Sequence, residues 1–297
     1  MKQYKNLLEK LNLKVNKYTI KGKTIIIDTN SGKYVLKKDN NMNLYKYLES
    51  RNFKYFPSVL EHDNNNALYE YINEVDYDEE EKAFDLIHYV ALLHSKTSYY
   101  KEIDSDEYKK IYENLSNQID YIYNYYLDVI NIIETKVYMS PSEYLIARNI
   151  SKIFSCIFYC KRNIGEWYEL VKDKKRKRVV TLHNNLDTSH LLKNKETYLI
   201  SWSNSKVDMP IYDFVLFYRK RELDFDFVKL LEEYERIYPL LKEEKKLLLI
   251  LISIPDKLTI SNNEYNMVKK VRKFLDKIYK TEFMLTSKEE EKSTNTN

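Results

Sequence analysis

The sequence predicts an α+β fold, with a small antiparallel sheet near the N-terminus and a larger, mostly helical remainder. Residues 15–38 alternate apolar and polar in three short runs, VNKYTI, KTIIIDT and KYVLKK, broken at Lys21-Gly22 and at Asn30-Ser31-Gly32. Residues 106–134 and 141–172 instead place Tyr, Ile and Leu at the 3.6-residue period of two long amphipathic helices. Residues 179–213 read as strand, loop, strand and helix, set inside the helical part. A chain of 297 residues has ample surface to bury a core for such a molecule.

The segment MKQYKNLLEKLNLKV reads as an amphipathic polar helix and lacks the apolar core of a secretion signal. After the three strands comes a short helix over Met42–Arg51. Phe56-Pro57 then leads to two more strands, SVLEHD and ALYEYIN. Asp76, Asp78, Glu79, Glu80 and Glu81 open a helix that runs to about Lys96, where acids complement the positive end of the helix dipole. Lys172–Arg178 (KDKKRKR) is the densest charge cluster and reads as a solvated linker before a strand at Val179–Leu182. A second strand is expected at Tyr198–Trp202, followed by helices over 211–221, 225–238, 241–253 and 263–282. The apolar run Leu247–Ile254 is too short to cross a bilayer and reads as buried helix. The tail TSKEEEKSTNTN has no apolar anchor and is expected to be disordered. The division is therefore 1–72, 73–284 and 285–297.

A net charge of +4 is small for this length and does not point to a specific nucleic-acid partner. Cys156 and Cys160 lie four apart in an apolar helix, a spacing that suits neither a disulfide nor a complete metal site, so they read as buried thiols in a reducing cytoplasm. With no signal and no membrane span, the protein is expected to stay in the cytoplasm. Only three glycines occur, against 29 tyrosines, which suits an AT-rich coding sequence.

The segment TLHNNLDTSHLLKNKETYLISWSNSKVDMPIYDF (residues 181–214) carries the functional signal. It resembles the catalytic core of the aminoglycoside- and choline-kinase-like branch of the protein-kinase-like fold, which reads H-G-D-L-H-P-G-N-h-L, then h-h-D-W/F, then P-x-Y-D-h, where h is apolar. His183, Leu186, Leu191, Leu192, Leu199, Ile200, Trp202, Pro210, Tyr212 and Asp213 fall on matching positions. The resemblance implies a two-lobe fold, with residues 1–72 as the N-lobe, 73–284 as the helical C-lobe, and a hinge at Leu68–Ile72. It further implies that Lys37 holds the phosphate-contacting position, that Glu70 and Ile72 border the nucleotide cleft, that His94 sits in an A-x-L-H segment, and that Asp213 anchors its helix. At the chemically active positions the sequence departs from the pattern. Asn185 stands for the base Asp, His190 for the metal-binding Asn, and Ser201 for the metal-binding Asp. An amide cannot take a proton from a substrate hydroxyl, and neither imidazole nor a lone hydroxyl suits Mg²⁺ as a carboxylate does.

A narrower resemblance covers the last third. Tyr234, Pro239-Leu240, Glu243-Glu244, Leu247–Ile252, Pro255-Asp256-Lys257 and Tyr265 are similar to the C-terminal helices of CotS-type and YutH-type spore coat proteins. Tyr47-Leu48, Phe53 and Pro57 resemble that family's L-x-x-x-G-F-x-x-x-P segment, with Asn52 at the Gly position. This implies a catalytically silent pseudokinase with protein partners, including spore coat proteins, located in the mother-cell cytoplasm or the coat. No cofactor, metal or membrane is expected on that reading. Two other readings stay open. One is an active small-molecule kinase using ATP and Mg²⁺, with Asp187 as a displaced base and Asp208 or Ser203 helping to hold an ion. The other is a regulatory protein that binds a nucleotide without transferring phosphate.

Overall fold

The computed structural model describes residues 5–104, 106–259 and 263–294. In chain order the elements are α1 (Lys5–Lys10), β1 (Val15–Lys21), β2 (Thr24–Thr29), β3 (Gly32–Lys38), α2 (Met42–Ser50), β4 (Val59–His62), β5 (Asn66–Glu70), α3 (Glu79–Thr97), β6 (Tyr99–Glu102), α4 (Glu107–Glu134), α5 (Pro141–Val171), β7 (Arg176–Leu182), β8 (Leu191–Lys193), β9 (Thr197–Leu199), β10 (Lys206–Asp208), α6 (Ile211–Arg221), α7 (Phe227–Ile237), α8 (Lys242–Ser253) and α9 (Glu264–Thr294). Short 3₁₀ turns at Thr188–His190 and Trp202–Asn204 flank β8 and β9.

Among the described residues, β1–β5 form an antiparallel sheet in the order β1-β2-β3-β5-β4. The two hairpins predicted from Gly22 and Gly32 are present. Lys21 pairs with Thr24 across a two-residue turn in which Gly22 has φ +57°, and Thr29 pairs with Gly32, whose φ is +127°. Both angles lie where an L side chain is strained, so glycine is used here for its backbone freedom. Ile27, Leu36 and Leu68 point to the same side of the sheet and pack with Leu7 and Leu8 of α1 into a closed apolar cluster. With so few glycines, left-handed positions elsewhere fall to Asn12, Asn52, Asn184 and Ser201. Asn52 closes α2 at φ +56°, where Phe53 N–H returns to Leu48 O at 2.9 Å, and Asn tolerates this conformation better than other side chains.

Two compact units emerge. The first takes the described residues up to Ser98 together with Val180–Val207; the second takes Tyr99–Val179 with the chain from Asp208 onward. This places α3 and the loop–strand segment after Val180 with the sheet, whereas the sequence division placed everything after residue 72 in the helical part. The reason lies in specific cross-links within the first unit. Leu199 N–H donates to Tyr55 O at 2.8 Å, Val75 N–H donates to Lys193 O at 2.9 Å, and Lys193 pairs with Asp85 of α3 at 2.7 Å. Asp78 caps α3 by accepting from Glu80 N–H at 2.8 Å and Glu81 N–H at 3.2 Å, so the acidic run serves the helix start.

In the second unit α5 packs against α4, α8 and α9. Leu247, Leu248, Leu249, Ile250 and Ile252 of the apolar run in α8 are buried there, as are both thiols. Burial pushes the Cys156 thiol up to about 11, so neither its exposure nor its acidity suits reactivity. The cluster 172–178 differs from the expected solvated linker. Arg176, Lys177 and Arg178 already belong to β7, which pairs antiparallel with β6. Most of its cations meet acids: Lys172 pairs with Glu169, Lys174 with Glu243, Arg176 with Glu102, Lys177 with Glu107 and Arg178 with Glu244. Charge density read in sequence cannot distinguish a free basic run from one whose acids arrive from distant elements. The tail also differs. Helix α9 continues to Thr294, so residues 285–294 are helical; Lys and Glu are good helix formers, and extending an existing helix needs no new nucleus. Residues 1–4 of the expected first helix and 295–297 of the tail lie outside the described residues.

Candidate functional site

The chemistry-bearing segment and the sheet meet within the first unit around a cleft of about 560 Å³, inside the usual range for small-molecule sites. Lys21, Thr24, Ile26, Val35 and Lys37 come from β1–β3, and Tyr69 and Glu70 come from β5. The chain after β5 adds Tyr71, Ile72 and Glu74, while Leu192, Ile200, Ser201 and Trp202 come from the far segment. Alternation in β2 and β3 explains the apolar patch, since Ile26 and Val35 are paired residues on one face of the sheet. Of the residues singled out from sequence, Lys37, Glu70, Ile72 and Ser201 line this cleft together. Asn185, Asp187 and His190 are not among its walls, though their neighbour Ser189 is.

Lys37 is held by a partner that the sequence reading did not assign. Its Nζ lies 3.4 Å from Asp39 Oδ2, and the Asp39 side chain is 1% exposed. Tyr69 OH donates to the same oxygen at 2.7 Å, Tyr45 OH donates to it at 2.9 Å, and Asn41 N–H donates to Oδ1 at 3.0 Å. Helix α2, which follows β3, contributes the phenol of Tyr45 to this carboxylate, and Asp39 itself lies just past the end of β3. Lys37 and Asp39 are two residues apart, on one face of an extended chain, and that spacing was the available signal. Burial pushes the Asp39 carboxyl up, but the hydrogen bond from Tyr69, the Lys37 charge, and the bonds from Asn41 and Tyr45 hold it below the usual 3.8. Burial, with the Asp39 charge beside them, raises both phenols well above 10, so they stay protonated donors.

The sign of the linkage follows from the depressed Asp39. Its stabilising contribution is complete above the ordinary aspartate range and is lost as pH falls through the lower folded value. Denaturant titrations below about pH 4 are therefore expected to show wild-type stability falling with a steeper slope than the Asp39→Asn variant. Equal slopes would remove Asp39 from the set of ionised buried groups.

The loop after β7 is rigidly framed. His183 is buried and its Nε2 donates to Ile200 O at 2.7 Å. His190 Nδ1 donates to Asn185 O at 2.7 Å. Both assignments follow because a carbonyl oxygen only accepts. Asp187 is buried, and its Oδ1 accepts from Ser189 N–H at 3.0 Å and Ser189 Oγ at 2.8 Å, so it caps the turn Thr188–His190. That use competes with the displaced-base role. Of the other proposed ion holders, Ser203 is exposed and Asp208 lies 3.6 Å from Lys177 in the second unit. His94 and Asp213 are fully buried in α3 and α6. Trp202 is 1% exposed, donates Nε1–H to Leu199 O at 2.8 Å, and meets Phe53, Phe56 and His183 edge-on. Ser201 precedes it at φ +71°, a strained angle for serine. Among the described residues no cluster of His, Cys, Asp and Glu is placed to hold a metal ion, and no helix is long and apolar enough to cross a membrane.

No protein-family model matches the chain, and no curated protein matches it by sequence. Solved structures do match. An aminoglycoside phosphotransferase from Alicyclobacillus acidocaldarius superposes with a TM-score of 0.66 over 93% of this chain and 92% of its own, at 10% identity. The spectinomycin phosphotransferase in its AMP-bound complex superposes with a TM-score of 0.54 over 95% and 98%, at 12% identity. This chain has the kinase-like fold of the aminoglycoside phosphotransferases. The nucleotide fits the residues present, since the cleft is open and combines an apolar patch with Lys21 and Lys37. Mg²⁺ fits the loop side chains less well, since Asn185, His190 and Ser201 carry no carboxylate.

Proposed function

We propose that this protein is a catalytically silent kinase-fold protein that takes a nucleotide in the Lys37 cleft without transferring phosphate, and that it acts through protein partners. The observation that carries this reading is an open cleft with Lys37 held by Asp39, and it is supported by the resemblance, which puts the amide of Asn185 at the base position. A base must accept a proton at the substrate oxygen, and Asn185 cannot. Asp187, the nearest carboxylate in the loop, is occupied in capping the turn. That a spectinomycin phosphotransferase of the same fold holds AMP supports an adenine nucleotide as the first ligand to test. The partner class comes from the resemblance of the C-terminal helices to spore coat proteins. On this reading the protein belongs to the mother-cell cytoplasm or the coat of a sporulating cell. A fluorescent fusion that stays diffuse through sporulation would remove the coat from the proposal.

Thermal-shift measurements with adenosine, AMP, ADP and ATP, each with and without Mg²⁺, test the cleft. The expected result is stabilisation by at least one of them that Mg²⁺ leaves unchanged. A shift that appears only with Mg²⁺ would contradict the reading and restore a kinase, and no shift with any ligand would leave only a scaffold.

A further inference from the structure

We infer that the cleft selects a nucleoside carrying at most one phosphate and discriminates against di- and triphosphates. The inference rests on the nucleotide reading above and adds the class of ligand. It follows from where the charges on the walls are already committed.

The ionic side chains lining the cleft are Lys21, Lys37, Glu70 and Glu74. Lys37 is engaged by Asp39, and Glu74 is paired with Lys82. Three cations thus face three carboxylates, and the cleft with its immediate partners has no net charge to offer a polyphosphate. Lys37 is not readily released to a phosphate. Drawing it away would leave Asp39, closed off from water and fixed by Tyr45 and Tyr69, as a buried charge with its cation removed. Kinases meet the same electrostatic problem with metal ions that bridge the β- and γ-phosphates. Asn185, His190 and Ser201 supply no carboxylate for such ions. The hairpin over the cleft is also spare. Its turn holds one glycine, Gly22, followed by Lys23, where close backbone approach to phosphates calls for several. Lys21, exposed at the mouth of the cleft, is the cation that remains, and it suits one phosphate.

Calorimetric titration of the full chain in EDTA with adenosine, AMP, ADP and ATP tests this. The tightest ligand is expected to be adenosine or AMP, with the dissociation constant rising at least about threefold for each phosphate beyond the first, as repulsion in a partly screened site requires. ATP binding as tightly as AMP, or more tightly, would overturn the inference while leaving the nucleotide reading intact. Binding of none of the four would overturn both. Asp39→Asn keeps the shape and frees Lys37, so it is expected to bring the ATP and AMP constants together. Glu70→Gln, at an exposed wall position where folding is not at stake, is expected to narrow the same ratio. An unchanged ratio in Glu70→Gln, or in a folded Asp39→Asn, would overturn the assignment of the selectivity to wall charge.

Discussion

Replacing Trp202 with alanine is expected to destabilise the first unit by about 3–5 kcal/mol, the usual cost of emptying a buried aromatic site. The ring is 1% exposed and is held from three sides by Phe53, Phe56 and His183, so the neighbours have little freedom to collapse into the space. The loss has two parts that separate experimentally. Trp202→Phe keeps much of the packing but removes the donor to Leu199 O, and is expected to cost about 1–3 kcal/mol. Ser201→Gly should act in the opposite direction, since glycine adopts φ +71° without steric penalty; a gain of about 1 kcal/mol is expected. Urea midpoints of the three variants check the series. A Trp202→Ala midpoint within error of wild type would mean that the aromatic frame of the loop is not the packing anchor described above.

The second large effect lies in the other unit. Arg178 Nε donates to Glu244 Oε1 at 2.9 Å, a second guanidinium nitrogen reaches Oε2, and the two side chains are 13% and 5% exposed. Burial alone would lower the Arg178 pKa, but the hydrogen bonds and charge of Glu244 leave it raised. Arg178→Met strands the Glu244 carboxylate and is expected to cost about 3–5 kcal/mol. The double variant Arg178→Met/Glu244→Leu removes the stranded charge and should recover most of that loss. Recovery should be incomplete, because Glu244 also accepts from Leu241 N–H at 2.9 Å at the start of α8. A single variant that loses under about 1 kcal/mol would place the pair among ordinary surface bridges.

Much of the architecture was legible because it depends on local pattern. Period-two alternation gave β1–β3, the acids before α3 gave a helix start, the 3.6-residue period gave α4 and α5, and the order of motifs gave the kinase-like fold. The short strands β6, β8 and β10 are too brief for periodicity to report. The basic run 172–178 was misread because its acids, Glu102, Glu107, Glu243 and Glu244, lie far off in sequence. The same limit applied at the site. The expectation for Asn185, His190 and Ser201 rests on neighbours within one short motif. For the partner of Lys37 the only signal was the two-residue spacing to Asp39, which stands out once Tyr69, thirty positions away, is seen to close over it. The role of Asp187 was among the alternatives, and the hydrogen bonds to Ser189 give it a capping function.

The proposed function depends on whether the loop after β7 performs chemistry. The most direct measurement is transfer or release of labelled γ-phosphate from ATP with Mg²⁺, using the full chain and a panel of small hydroxyl compounds and proteins as acceptors. No turnover above the protein-free background is expected, and none in the Lys37→Ala variant. Mg²⁺-dependent turnover by the wild type that Lys37→Ala abolishes would contradict the proposed function.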